Sequence, residues 1–139
     1  MNRFALISLL VLSSCRETAV KEYDERYEDQ LLLNGLRGKC KDDSSCYIRQ
    51  ARQDFDSGKL FLFFNGLMDA KSFSDFYITC LESNKDINII GAGDVADYNL
   101  KRYNYEMLNN ILERFGTKYF DSCKANAERL SGTKSYRYW

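Results

Sequence analysis

Five cysteines, two local pairs of carboxylates and one glycine-bracketed turn are the residues of this chain whose types and spacing could do chemistry. Ile90-Gly91-Ala92-Gly93-Asp94-Val95-Ala96 fits G-x-G-x-x-A after an apolar run. Such a turn can present backbone N–H groups and a helix start to a pyrophosphate. No further strand ends in an acidic residue about 20 positions on, where a ribose contact would be needed, so a plain turn and no cofactor is the expectation. Asp42 with Asp43 and Asp94 with Asp97 resemble the acid and base of glycoside hydrolysis. Each pair is local and sits in a polar stretch where nothing would set the two pKa values apart, which makes them solvated loop charges. Histidine is absent altogether, and with it the commonest general base, the usual metal ligand and the physiological pH switch. Cys40 and Cys46 have five residues between them, wider than the usual zinc spacing, so no metal is expected.

The cysteines divide by position. Met1 to Cys15 has a short positive start at Arg3, an apolar run from Phe4 to Leu12, and then Leu12-Ser13-Ser14-Cys15. That order is the anatomy of a secretory signal. The last four residues resemble the lipobox of bacterial lipoproteins, which implies that Cys15 is acylated and begins the mature chain. The apolar run is far short of the roughly 20 residues that span a bilayer, whereas two acyl chains hold a protein stably on one. Residues 1–14 are therefore expected to be a signal peptide, 15–30 a lipid-anchored tether and 31–139 a single globular domain. The expected location is the outer membrane, facing the periplasm or the surface.

Four cysteines then remain, an even number in an exported protein. Cys40 is expected to pair with Cys46 and Cys80 with Cys123; the alternative is four reduced thiols packed as small apolar groups. Twenty basic residues balance twenty acidic ones. Without a basic stripe, nucleic acid is not an expected partner. The chain has no proline, which argues against a rigid stalk.

Periodicity supplies the elements that must position these residues. Val20, Tyr23, Tyr27 and Leu31 recur at helical spacing and predict a first helix ending near Gly35, followed by a polar loop from Lys39 to Ser45. Ile48, Ala51 and Phe55 mark a second helix stopped by Gly58. Leu60-Phe61-Leu62-Phe63-Phe64 is short enough to be a buried strand. Ser72 and Asp75 open a third helix with Phe73, Phe76, Tyr77, Cys80 and Leu81 on one face. Ile87-Asn88-Ile89-Ile90 predicts a second strand. Tyr103, Met107, Leu108, Ile111 and Phe115 mark a helix closed by Gly116, and Phe120, Cys123, Ala127 and Leu130 mark another closed by Gly132. The expected fold is α+β: a helix-rich domain with a two- or three-stranded sheet built on one βαβ unit, an all-α domain being the alternative. The Tyr136 to Trp139 tail is a candidate extra edge strand.

One segment has the composition of a recognition surface. Tyr98-Asn99-Leu100-Lys101-Arg102-Tyr103-Asn104-Tyr105 combines tyrosine, asparagine and arginine, residues that offer large contact area and a planar donor fork. Tyr98, Asn99, Arg102 and Tyr105 are its candidate contacts, while Tyr103 shares the core face of Met107 and Ile111. The alternative reading is that the segment is an ordinary helix surface.

Two stretches carry a resemblance. Ala51-x-x-Asp54-x-x-x-Gly58-Lys59-Leu60 runs into a strand, and Tyr103-Asn104-x-x-Met107 leads through Ile111 to Arg114-Phe115-Gly116 and Phe120. From Cys46 to about Leu130 the chain resembles the FEKKY-type domains of small exported or lipid-anchored proteins from Bacteroidetes-like bacteria, with Arg114 where lysine is more usual. The resemblance implies a small mixed α and β fold and brings no site residue with it.

Together these readings point to a lipid-anchored, non-enzymatic binding module of the cell envelope. It would meet the membrane through its anchor and another protein or envelope component through its domain, and an immunity or inhibitor protein is a more specific form. The alternatives are an envelope hydrolase using Asp94, Asp97 or Glu113, and a structural accessory subunit of an envelope complex.

Overall fold

The structure, a computed structural model, describes residues 28–66, 70–93 and 96–134. The signal segment with Cys15, most of the tether, Asp94 and Val95 of the glycine turn, and the Tyr136 to Trp139 tail lie outside the described residues. The chain divides into two units after Gly35. In the first, residues 28–35 are helical, with Leu33 buried and Leu31 and Leu32 exposed.

That helix, α1 (residues 28–40), runs on through Gly35 and Gly38, where the sequence predicts its end. A glycine inside a helix costs only about 1 kcal/mol relative to alanine. The stop comes instead at Lys41, which takes a left-handed conformation (φ 48°) and donates its N–H to the Arg37 carbonyl at 2.8 Å. The polar loop is correspondingly shorter than expected.

The second unit is a small helix-rich α+β domain. Helix α2 (Ser44–Asp56) starts under Asp43, whose carboxylate accepts the Ser45 N–H at 2.9 Å. It ends ahead of Gly58, whose φ of +80° suits a residue without a Cβ. Strand β1 (Leu60–Phe64), helix α3 (Phe73–Lys85) and strand β2 (Ile87–Gly91) follow in order. The strands pair in parallel, Leu60 opposite Ile87 and Phe64 opposite Gly91, so the three elements form one βαβ unit. Two strands make up the sheet among the described residues. Ser72 caps α3, accepting the Asp75 N–H at 3.2 Å, while the Asp75 carboxylate turns back to the Lys71 N–H.

Helices α4 (Tyr98–Phe115) and α5 (Thr117–Ser131) complete the unit. Gly116 joins them at φ 77° and ψ 169°, a region open essentially only to glycine. Helices α2 and α4 pack on each other and on β1; α3 packs on β2 and carries α5. Leu62, Leu81, Ile87, Ile90, Leu100, Met107 and Ile111 are fully buried at the centre. Each contributes roughly 1.5–3 kcal/mol by leaving water.

Both expected cysteine pairs lie at disulfide distance. Cys40 and Cys46 clip the end of α1 to α2 with Cα atoms 5.3 Å apart; Cys80 and Cys123 join α3 to α5 at 5.5 Å. Tyr119 reinforces the second junction, its hydroxyl 2.8 Å from the carbonyls of both Cys80 and Leu81.

Candidate functional site

Three rows of residues along α4 go to three different places. Leu100, Tyr103, Asn104, Met107 and Ile111 are buried. Tyr98, Arg102 and Tyr105 form an outward ridge. Lys101, Tyr105, Leu108 and Asn109 line a cleft against the end of β1.

The buried row is tied down by two polar side chains. The Tyr103 hydroxyl donates to Asp54 of α2 at 2.8 Å, and its ring meets Phe63 edge-on at 5.1 Å. Asn104 closes the outer edge of β1. In a parallel strand successive residues turn their backbone groups to opposite sides. Phe64 faces β2, its carbonyl accepting the Ala92 N–H at 2.8 Å, so Phe63 faces away from the sheet. There the Asn104 Oδ1 accepts the Phe63 N–H at 2.8 Å, and the Nδ2 donates to the Phe63 carbonyl at 2.7 Å. One side-chain amide thus stands in for the peptide of a third strand. An open edge is otherwise a template for unwanted pairing.

On the outward ridge, Tyr98 and Tyr105 are 62% and 67% exposed. The Arg102 guanidinium lies 5.0 Å from the centre of the Tyr98 ring, and its Nε and Nη2 both donate to the Tyr98 hydroxyl. These three of the four predicted contacts are brought onto one ridge. Asn99 is placed apart, half-buried in the first helical turn with its N–H bonded to Asp97. Tyr103 is core, as its spacing implied.

The cleft, about 530 Å³ in volume, is walled on the strand side by Phe63, Phe64 and Asn65. Sequence reading missed Asn65, Lys101 and Asn109 as neighbours, because residues forty positions apart meet only once β1 and α4 have packed. Asn104, in contrast, left a trace: it is a polar residue in the middle of the inward row.

Two of the candidate carboxylates, Asp97 and Asp43, cap helices. Asp97 caps α4, accepting the N–H groups of Asn99 at 2.9 Å and Leu100 at 3.2 Å, and it also accepts Arg37 Nε at 3.3 Å and Nη2 at 3.2 Å. The amides at the start of α4 after the glycine turn are therefore occupied by a side chain of the protein itself. Glu113 is exposed and sixteen residues further along the same helix, about 24 Å away at 1.5 Å per residue, so Asp97 and Glu113 share no site. Asp43 caps α2, and Asp42 is exposed. Among the described residues no three side chains of metal-ligating type come together.

Three phenols are perturbed. Burial raises the Tyr103 hydroxyl far above the ordinary phenol range, and the charge of Asp54 and its hydrogen bond add to the shift. Burial also raises Tyr119, and it raises Tyr47 together with the charge of Asp97. Below the unfolded pKa of about 10 these groups are neutral in both states and cost nothing. Above it the unfolded chain ionises first, so stability falls as pH rises, by about 1.4 kcal/mol per pH unit for each group still neutral in the fold. Thermal melts should therefore drop steeply beyond about pH 10. Tyr103→Phe should begin about 1 kcal/mol lower, through loss of the Asp54 hydrogen bond, and then decline less steeply. Parallel curves for the two chains would show that Tyr103 is not one of the titrating groups.

No family model, curated protein or solved structure matches the chain.

Proposed function

We propose that this chain is a lipid-anchored protein of the cell envelope acting as a non-enzymatic binding module, and that the outward ridge of α4 is its contact surface. The observation that carries the proposal is the exposure of Tyr98 and Tyr105 two helical turns apart, with Arg102 stacked on the first. The same helix buries its other tyrosine completely. Exposed large aromatics beside an arginine are the residue types that dominate binding energy at protein interfaces. A guanidinium already held against a ring loses less freedom when a partner docks. The Leu12-Ser13-Ser14-Cys15 segment supports an anchored location, and with it a partner in the envelope: a membrane-bound or exported protein, of which a toxin or lytic enzyme neutralised by an immunity protein is one form.

The test is the full chain expressed in its native host with Tyr98, Arg102 and Tyr105 changed together to alanine. These exposed replacements should move stability by no more than about 0.5 kcal/mol each, checked by circular dichroism melts. Crosslinked partner recovery should be lost, and unchanged recovery would overturn the surface. Mass analysis of the same membrane fractions should find Cys15 acylated; an unmodified Cys15 in a soluble product would overturn the location.

A further inference from the structure

Besides the buried Leu36, the last turn of α1 (residues 36–40, in the second unit) is tied down by the side chains of Arg37, Lys39 and Cys40. Arg37 reaches α4. Asp97 accepts the Asn99 and Leu100 N–H groups on Oδ1 and presents Oδ2 to the Arg37 guanidinium, so Arg37 fixes the orientation of the carboxylate that caps the ridge helix. Lys39 donates to Gln50 of α2, whose amide donates to Asp54, the acceptor of the Tyr103 hydroxyl. Both contacts are made by side chains open to solvent, Arg37 at 40% exposure and Lys39 exposed, and contacts of that kind are weak on their own. The Cys40–Cys46 bond beside them is covalent, and thiol exchange can open it.

The two cysteine pairs differ in how a thiol can reach them. Cys80 and Cys123 bridge the packed helices α3 and α5, Cys123 is 1% exposed, and Tyr119 holds the same junction. Their sulfurs turn outward only if the helices part. Cys40 and Cys46 close a five-residue stretch in which Lys41, Asp42, Asp43 and Ser45 are exposed, and Cys46 itself is only half-buried. Opening there is local and leaves the core intact. We propose that the Cys40–Cys46 clip is a thiol-operated switch on the contact ridge: a dithiol opens it, the last turn of α1 loosens, and Arg37 leaves the carboxylate that caps α4. A thiolate of the dithiol attacks the Cys46 sulfur, the accessible one; the S–S bond breaks, and Cys40 leaves as a thiolate that takes up a proton. The second thiol then attacks the mixed disulfide, releases Cys46 and closes the reductant into its own disulfide. Two electrons thus pass from dithiol to clip, and two protons end on the two cysteines. Tyr98 directly follows the capping Asp97 and Arg102 stands one turn further on, so a weaker cap frays the ridge at the end that carries the stacked pair. The inference rests on the reading of that ridge as the contact surface.

The test uses the full-length protein, with dithiothreitol as the dithiol. Iodoacetamide trapping and peptide mass mapping should find Cys40 and Cys46 alkylated at dithiothreitol concentrations that leave Cys80 and Cys123 bonded. Joint opening of the two pairs, or opening of Cys80–Cys123 first, overturns the switch. Residue-resolved amide hydrogen exchange is then compared between the parent and the double variant Cys40→Ala, Cys46→Ala. Exchange at Asn99 and Leu100 should be about 5-fold faster in the variant, the equivalent of a weakened helix cap. Lys41, whose N–H bonds to the Arg37 carbonyl, should change at least as much, and Ala92, whose N–H bonds to Phe64, not at all. Unchanged exchange at Asn99 and Leu100 overturns the inference. If the double variant does not fold, the parent with only the clip reduced gives the same comparison. Arg37→Met with the clip closed should reproduce the acceleration at Asn99 and Leu100, and its absence there would show that the cap does not depend on Arg37 and sink the switch. Crosslinked partner recovery separates this inference from the reading beneath it. Recovery lost in the ridge variant but kept in the clip variant removes the switch and leaves the surface. Recovery kept in the ridge variant removes the surface, and faster exchange would then leave the clip coupled to the α4 cap alone.

Discussion

Replacing Asn104 by alanine should lower the unfolding free energy by about 3–5 kcal/mol, the largest effect expected of any single exposed or buried polar change in this fold. Two backbone groups of Phe63 depend on this side chain, at 2.8 and 2.7 Å. Asn104 is itself the buried polar residue of the core, at 9% exposure. Its removal strands a donor and an acceptor, each at about 1–3 kcal/mol, where water has little access. Urea unfolding monitored by far-UV circular dichroism measures the loss. Asn104→Asp separates hydrogen bonding from packing. As a carboxylate it can accept from the Phe63 N–H but confronts the Phe63 carbonyl with a second acceptor. Protonated, it can do both jobs of the amide. Its pKa in the fold should therefore lie above the unfolded value of about 3.9. A raised folded pKa means that the stabilising form is complete below the unfolded value and is lost as pH rises through the folded one. The gap between Asn104→Asp and the unaltered chain should thus narrow as pH falls towards about 4. A gap independent of pH, or an alanine variant within about 1 kcal/mol of the parent, would show that β1 does not depend on Asn104 at its edge.

The second large effect concerns the cysteines, and it differs between the two pairs. Cys80 and Cys123 are 43 positions apart and Cys40 and Cys46 only 6. A bond that closes the longer loop removes more freedom from the unfolded chain: about 4 kcal/mol against about 2.4 kcal/mol at 25 °C on the loop-entropy relation. Replacing Cys80 and Cys123 together by alanine should therefore destabilise the protein clearly more than replacing Cys40 and Cys46. The difference should be visible as two well-separated guanidinium midpoints, and thiol reductant should bring the parent to the lower end. A reversed order would mean that the α1–α2 clip, not the α3–α5 junction, holds the domain together. A parent chain indifferent to reductant would mean that the sulfurs, although at bonding distance, are not bonded in solution.

Much of the architecture was legible because its signals are local. Leu60 to Phe64 and Ile87 to Ile90 are too short and too apolar for exposed helices, and both are strands. Ser72, Gly116 and Gly132 marked helix ends correctly, since a cap or a positive φ is a property of one or two residues. Gly35 misled for the complementary reason. Glycine permits a left-handed turn without requiring one, and the α1 end was set by Lys41, a residue with no intrinsic preference for that conformation.

The candidate surface divides along the same line. Spacing alone put Tyr103 with Met107 and Ile111 and left Tyr98, Arg102 and Tyr105 on another side of one helix, because 3.6 residues per turn fixes angular position whatever the helix packs against. What the sequence by itself determined, then, is the α+β composition, the order of the elements and the sides of α4. Only the tertiary structure decided what each side meets. It set Asn104 against the backbone of Phe63 and committed Asp97 to a cap and to Arg37. It also brought Asn65 and Lys101 to one cleft. Apart from the Asp97 cap, these contacts join residues 36 to 60 positions apart, and such pairings leave no periodic trace: they depend on how βαβ and helix layers settle against one another, not on the conformation any short stretch prefers.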